Sequence, residues 1–190
     1  HLKTICALTI ASCPRKRPRG GSRRTLNCKR KHMKEYIKMM RELVGSRPIM
    51  QCGASVILVN ERGELLLQQR ADNGMWGYHG GSVELFENVE EAARRELTEE
   101  TGLTAGQMTL FGVFSGPELA YVYPNGDAVS NVDVVYLCRD YTGHTHRQQG
   151  EVNRLRWFAP QDMPPMAEIM PPNRPALRQY LESVGVSALT

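Results

Sequence analysis

Residues 81–103 read GSVELFENVEEAARRELTEETGL, and no other stretch constrains the chain as strongly. Gly81 is followed after five residues by Glu87, and after seven more by Arg95-Glu96-Leu97. Glu99-Glu100 and Gly102-Leu103 complete the stretch. Asn88 can cap a helix and Gly102 can stop one, so a helix is predicted from Asn88 to about Thr101. Offsets of three and four residues put Glu96, Glu99 and Glu100 on one face of that helix. Carboxylates crowded in this way repel one another unless a cation is bound among them. An oxygen-only donor set suits Mg²⁺ or Mn²⁺ and disfavours zinc, which favours His and Cys. A merely solvated acidic face would carry basic residues one turn from its acids. Residues 87–100 hold only Arg94 and Arg95 against six glutamates, which favours the cation site.

The nine defined positions of this stretch match the pattern G-x5-E-x7-R-E-U-x-E-E-x-G-U, with U a bulky aliphatic residue, so it resembles the Nudix hydrolases. The resemblance runs over residues 33–185 and is nearest to small bacterial proteins of the MutT type. It implies an α/β fold, the Nudix α/β/α sandwich around a mixed β-sheet. It also implies metal-dependent hydrolysis of a diphosphate linkage, with Mg²⁺ or Mn²⁺ as cofactor. The metal ligands it implies are Gly80 (through its backbone carbonyl), Glu87, Glu96, Glu99, Glu100 and, from a later loop, Glu151. The catalytic set is Glu96, Glu99, Glu100, Arg95 and Glu151, with the general base left open between a box glutamate and Glu151. Divalent ions of this kind lower the pKa of bound water while a carboxylate takes its proton. Arg95 offers a planar fork of donors, with Glu87 and Glu99 as candidate partners. Two positions depart from the family's habit. His79 stands where Pro usually precedes the double glycine, and Phe86 stands where Gly usually precedes the first box glutamate. His79 is read as a structural loop residue, with phosphate contact as the alternative.

Around the box, Lys34–Leu43 has apolar residues three or four apart and is predicted helical. Gln51–Val59 and Glu64–Arg70 are predicted strands joined as a hairpin by Asn60–Gly63. Met108–Phe114 and Glu118–Tyr123 are predicted extended, Pro124–Asp127 a turn, and Val132–Cys138 a strand buried on both faces. Thr142–Gly150 is a polar loop, Val152–Phe158 a strand, and Arg174–Val184 an amphipathic helix. At 190 residues one domain is expected. Its ordinary 41% hydrophobic content includes no run near the roughly 20 residues a spanning helix needs.

Charge divides the chain. Residues 1–32 hold ten of the 24 Lys/Arg and none of the 20 Asp/Glu, so the overall +4 hides an acidic remainder. Residues 1–32 are read as a basic extension outside the domain, and 33–190 as the Nudix domain. An organellar transit peptide and a nucleic-acid-binding arm are the other readings of that extension, which has no aromatic residue for base stacking. Cys52 and Cys138, the two cysteines of the domain, are expected as buried thiols in a reducing cytoplasm.

The pattern specifies a diphosphate and leaves its substituents open. Arg70, Trp76, Tyr78, Tyr121 and Tyr123 are the candidate substrate-binding residues, with Gln68 pointing the same way. Asp133 interrupts an apolar strand and either faces the cleft or pairs with a buried base. Nucleoside triphosphates, nucleotide sugars and ADP-ribose all remain open as substrates. The expected partner is a nucleotide-type small molecule, with neither membrane nor nucleic acid, and a homodimer is left open. The competing class is a Nudix-like module that binds nucleotides for regulation without catalysis. Such modules typically erode the REUxEE core, which is intact here.

Overall fold

The computed structural model describes residues 36–186. Residues 1–32 and the expected boundary at 33 lie outside the described residues. Helix α1 (Tyr36–Val44) leads to β1 (Ile49–Leu58), β2 (Leu65–Arg70), β3 (Trp76–Gly77) and β4 (His79–Ser82). Helix α2 (Val89–Thr101) follows, then β5 (Thr104–Ala105), β6 (Met108–Phe114), β7 (Ala120–Val122), β8 (Ala128–Cys138), β9 (Tyr141–Thr142) and β10 (Val152–Phe158). Helix α3 (Arg174–Ser183) closes the order. Among the described residues no helix is long and apolar enough to cross a membrane.

The main sheet runs β4-β1-β8-β6, with β7 also pairing β8. Its central pair, β1 and β8, is parallel, and β4, β6 and β7 join antiparallel, so the sheet is mixed. Strand β1 explains why the chain reads as apolar from Ala54 onward. Ala54, Val56 and Leu58 pack with Ala92, Ala93 and Leu97 of α2. Ile57 and Val59 pack on the opposite side with Ala176, Leu177, Tyr180 and Leu181 of α3. Alternation along a strand sends successive side chains to opposite faces, so a strand covered on both sides has no polar phase.

Several expectations are corrected. The predicted β1–β2 hairpin closes only one rung, Val59 with Leu65. Beyond it β1 pairs β4 and β8, whereas β2 joins a second sheet in the order β10-β2-β3. Leu65, Leu66 and Leu67 are all buried, so β2 needs cover on both faces, which a plain hairpin beside β1 does not supply. Strand β8 is not buried throughout. Asp133, Val135 and Cys138 are buried, but Val132, Val134, Tyr136 and Leu137 are half-buried, because α2 lies mainly over β1 and β4. Cys138 is buried as expected and Cys52 is exposed, since continuous burial along β1 starts only at Ala54; both are free thiols. In place of one extended run at 118–123, Pro117–Leu119 forms a 3₁₀ turn before β7. Proline pre-sets the backbone angle that such a turn needs at its start.

Candidate active site

Helix α2 carries the acids. Its N-cap is Asn88, as expected, but the Asn88 side chain makes no capping hydrogen bond. Glu90 and Glu91 in the first turn complement the helix dipole instead. At the other end Gly102 adopts φ 74° and donates its N–H to the Thr98 carbonyl, the left-handed stop that glycine alone adopts freely.

Arg95 gathers three of the glutamates. Its Nε donates to Glu87 Oε1 at 2.8 Å and its Nη2 to Glu87 Oε2 at 2.9 Å, a two-pronged clamp. Its Nη1 donates to Glu96 Oε1 at 2.6 Å and, longer, to Glu99 Oε2 at 3.3 Å. The Ser82 carbonyl accepts a further bond from Nη2 at 3.2 Å, tying the fork to the end of β4. Glu87 above all, with Glu96, holds the guanidinium further above its ordinary range. Glu96 responds in the opposite sense to a well-satisfied acid. Burial pushes its carboxyl up to about 7 despite Arg95, and the charges of Glu100 and Glu99 add to the rise.

Glu100 is buried and sits apart from the guanidinium. Its Oε2 accepts the Gly80 N–H at 3.1 Å and lies 3.4 Å from Nδ1 of His79. His79 is fully buried, its Nε2 donating to the Leu66 carbonyl at 3.1 Å, and Nδ1 has no hydrogen-bond partner. That burial places the imidazole behind Glu100, away from any phosphate, and removes the alternative of direct phosphate contact. Gly81 admits the acids: a Cβ there would lie 2.5 Å from Glu96 Oε1.

Two hollows flank this cluster. A cavity of about 150 Å³ is lined by Gln68, Arg70, Asp72, Glu100, Gly150 and Glu151, so the loop before β10 brings the exposed Glu151 to the same wall as Glu100. A cleft of about 80 Å³ opens on the other side, with Arg70, Tyr78, Gly80, Gly81, Tyr123 and Asp133 among its lining. Arg70 borders both. It is held by Asp72 through two bonds of 2.9 and 2.7 Å and lies 6.0 Å from the Tyr123 ring centre.

Asp133 resolves to the cleft. It is buried, and its two oxygens accept hydroxyl protons from Ser55 at 2.8 Å and Tyr78 at 2.9 Å. Burial raises its carboxyl above the ordinary value although both hydroxyls oppose the shift. Two of the predicted aromatics lie elsewhere. Trp76 is buried edge-on against Phe158, with ring centres 5.0 Å apart, and serves the core. Tyr121 stands edge-on to Tyr123 at 5.1 Å, and its hydroxyl accepts a bond from Asn73 at 3.3 Å outside the cleft lining. Residues not anticipated include Ser55, Asn131 and Asn173 in the cleft. Ser55, a lone hydroxyl in an otherwise apolar strand, was a usable signal; Asn173, in a proline-rich connection, was not.

The donor set fits a hard divalent cation. Glu96, Glu99, Glu100 and Glu151 supply only oxygen, the donor type such a cation takes. Among the described residues no three His, Cys, Asp or Glu side chains are grouped as a bound metal would need, and Arg95 takes Glu87, Glu96 and Glu99 as its own partners.

An acid-bearing helix packed on a mixed sheet, opening beside a polar cleft, is the arrangement of a Nudix domain. A family model of the NUDIX domain matches residues 50–180. A MutT-like protein of Streptomyces ambofaciens is 31% identical over 125 residues, which is 65% of this chain and 74% of that one. The solved MutT NUDIX hydrolase from Burkholderia pseudomallei superposes with a TM-score of 0.58 at 30% identity, covering 69% of this chain and 98% of that one. A putative 8-oxo-dGTP diphosphatase of Bacillus subtilis (strain 168) is 44% identical over 66 residues, but these span only 35% of this chain and 44% of that protein. The chain belongs to the Nudix family, among its MutT-type pyrophosphohydrolases.

Proposed function

We propose that this protein hydrolyses the diphosphate linkage of a nucleoside diphosphate joined to another moiety, using Mg²⁺ or Mn²⁺. The observation that carries this reading is Arg70, which borders both the Asp133 cleft and the cavity of Glu100 and Glu151. A nucleoside in the cleft would direct its phosphates past Arg70 toward the acids. Glu96, Glu99, Glu100, Glu151, Glu87 at the edge and the Gly80 backbone would hold the cation. When bound, it would neutralise phosphate charge and acidify water. The chain's own residues do the rest. Arg95 holds Glu87 and Glu96 in fixed orientation, the Gly80 N–H backs Glu100, and a carboxylate takes the proton of the attacking water. Tyr78 and Ser55 keep Asp133 turned to the cleft, where its free lone pairs can accept N–H groups of a base.

The test is phosphate and product release over nucleoside triphosphates, dinucleotides, nucleotide sugars and ADP-ribose, with Mg²⁺ and then Mn²⁺. Turnover of at least one class is expected, lost on chelation. Binding of nucleotide without turnover under any metal would identify a regulatory module instead.

A further inference from the structure

Helix α2 covers only part of its side of the main sheet. Strand alternation and the β1–β8 register put the even-numbered residues of both strands on that side, Cys52 beside Val132 and Ala54 beside Val134. Strand β6 adds Leu110 beside Tyr136 and Val113 beside Val134, and β7 adds Val122 beside Ala128. A register shift between Leu110 and Gly112 keeps Leu110 and Val113 on one side although they are three residues apart. Ala54 and Val56 lie fully buried under α2, but the helix reaches little beyond β1 and β4. Met50 is 77% exposed, Val122 62%, and Leu110 and Val113 60% each, while Val132 and Val134 between them are half-buried.

Charge and area say what covers this face. Every side chain that β1, β6, β7 and β8 turn to it beyond α2 is uncharged, and most are apolar. A nucleic acid or an anionic lipid surface asks for basic residues, which this face lacks. Residues 33–190 hold 14 of the 24 Lys/Arg, the other ten lying in 1–32, against all 20 Asp/Glu, so two such domains repel unless they meet where neither is charged. An uncharged sheet is its own complement: turned about a two-fold axis it meets an identical sheet without opposing like charges. The bare side chains form a patch on the order of several hundred Å², the scale of one partner's share, ~800 Å², in a stable interface. The Asp133 cleft opens on the opposite face of the same strands, since Gly53 and Asp133 alternate with Cys52 and Val132. Covering one face therefore leaves the other accessible.

We infer that a second copy of this chain packs on this face, sheet against sheet about a two-fold axis, with Met50, Leu110, Val113 and Val122 buried between the copies. The test is sedimentation velocity of the full chain across a dilution series in reducing buffer, with circular dichroism reporting the fold of each variant. Wild type sediments as a dimer that dissociates on dilution. Leu110→Lys and Val122→Lys each bury a charge without a partner in the interface, and each raises the dimer Kd roughly tenfold or more while the chain stays folded. Val184→Lys, at the end of α3 on the other side of the sheet, leaves the dimer as it was. Wild type that stays monomeric at every concentration overturns the inference. So does a dimer that both lysine variants leave intact, or one that Val184→Lys weakens as much as they do. Should a lysine variant fail to fold, Val113→Thr takes its place, because threonine suits a strand and nearly matches valine in shape. It too should weaken the dimer, and an unchanged Kd for it overturns the inference.

Discussion

Among the described residues, carboxylates crowd around Arg95 and one is sunk in the cleft at Asp133, and the two places manage them differently. Around Arg95, charge meets charge: one guanidinium serves Glu87, Glu96 and Glu99, yet Glu96 is still pushed up to about 7. In the cleft, Asp133 meets only neutral hydroxyls, which turn it toward open space. Burying an acid costs free energy unless partners stabilise its charge, and neither region does so fully. On the proposed function, the unsatisfied remainder in each takes a ligand: cationic beside α2, hydrogen-donating in the cleft.

The largest expected effect falls on Glu100. Glu100→Gln keeps the shape and the Gly80 contact but removes the charge, and turnover should drop by roughly 10²–10⁴-fold in a steady-state assay. Glu99→Gln should fall in the same range; unchanged turnover and metal affinity in either variant would remove that glutamate from the site. Arg95→Ala would break the comparison from the side of stability, leaving Glu87 and Glu96 facing each other without a cation. A loss of about 1–3 kcal/mol is expected in urea unfolding of the metal-free protein, and a loss near zero would show that the acids do not need the clamp. Gly81→Ala is smaller: its methyl must displace the Glu96 carboxylate, so turnover should fall about tenfold with less than about 1.5 kcal/mol of destabilisation.

A pH series sharpens the contrast between the two acids. Both have folded pKa values raised above their ordinary ones, so the fold favours their neutral forms. The stability this confers is fully present below the ordinary pKa and is lost as pH rises through the folded one. For Glu96 the window runs from 4.5 to about 7. For Asp133 it opens at 3.8 and extends upward. Thermal unfolding of the metal-free protein should therefore weaken across these ranges. Glu96→Gln and Asp133→Asn should each flatten a different part of the curve, and a slope indifferent to both would refute the assignment. Least of all is expected from deleting residues 1–32, which should leave turnover and Tm nearly as they were.

Legibility followed range of interaction. The span and stop of α2 and the exact limits of β10 are local matters, set by side-chain period and by Gly102, and were readable along the chain. The partners of Arg95 were readable in part: Glu99 lies one turn away, and Glu87 eight residues back. The separation of β1 from β2 was not, since a turn signal says that a chain reverses but not which strands it then pairs with. Nor was the core position of Trp76, which depends on Phe158, 82 residues later.

What the sequence by itself determined is the acidic helix face and its oxygen-only chemistry, because 3.6-residue periodicity converts spacing into proximity without further information. Only the tertiary structure decided the cleft. Ser55 and Asp133 come from two strands, β1 and β8, and Tyr78 from the link between β3 and β4; they meet because β1 pairs β8 in register at Gly53 with Asp133. Sheet pairing between segments 80 residues apart obeys burial on both faces, which no local pattern records.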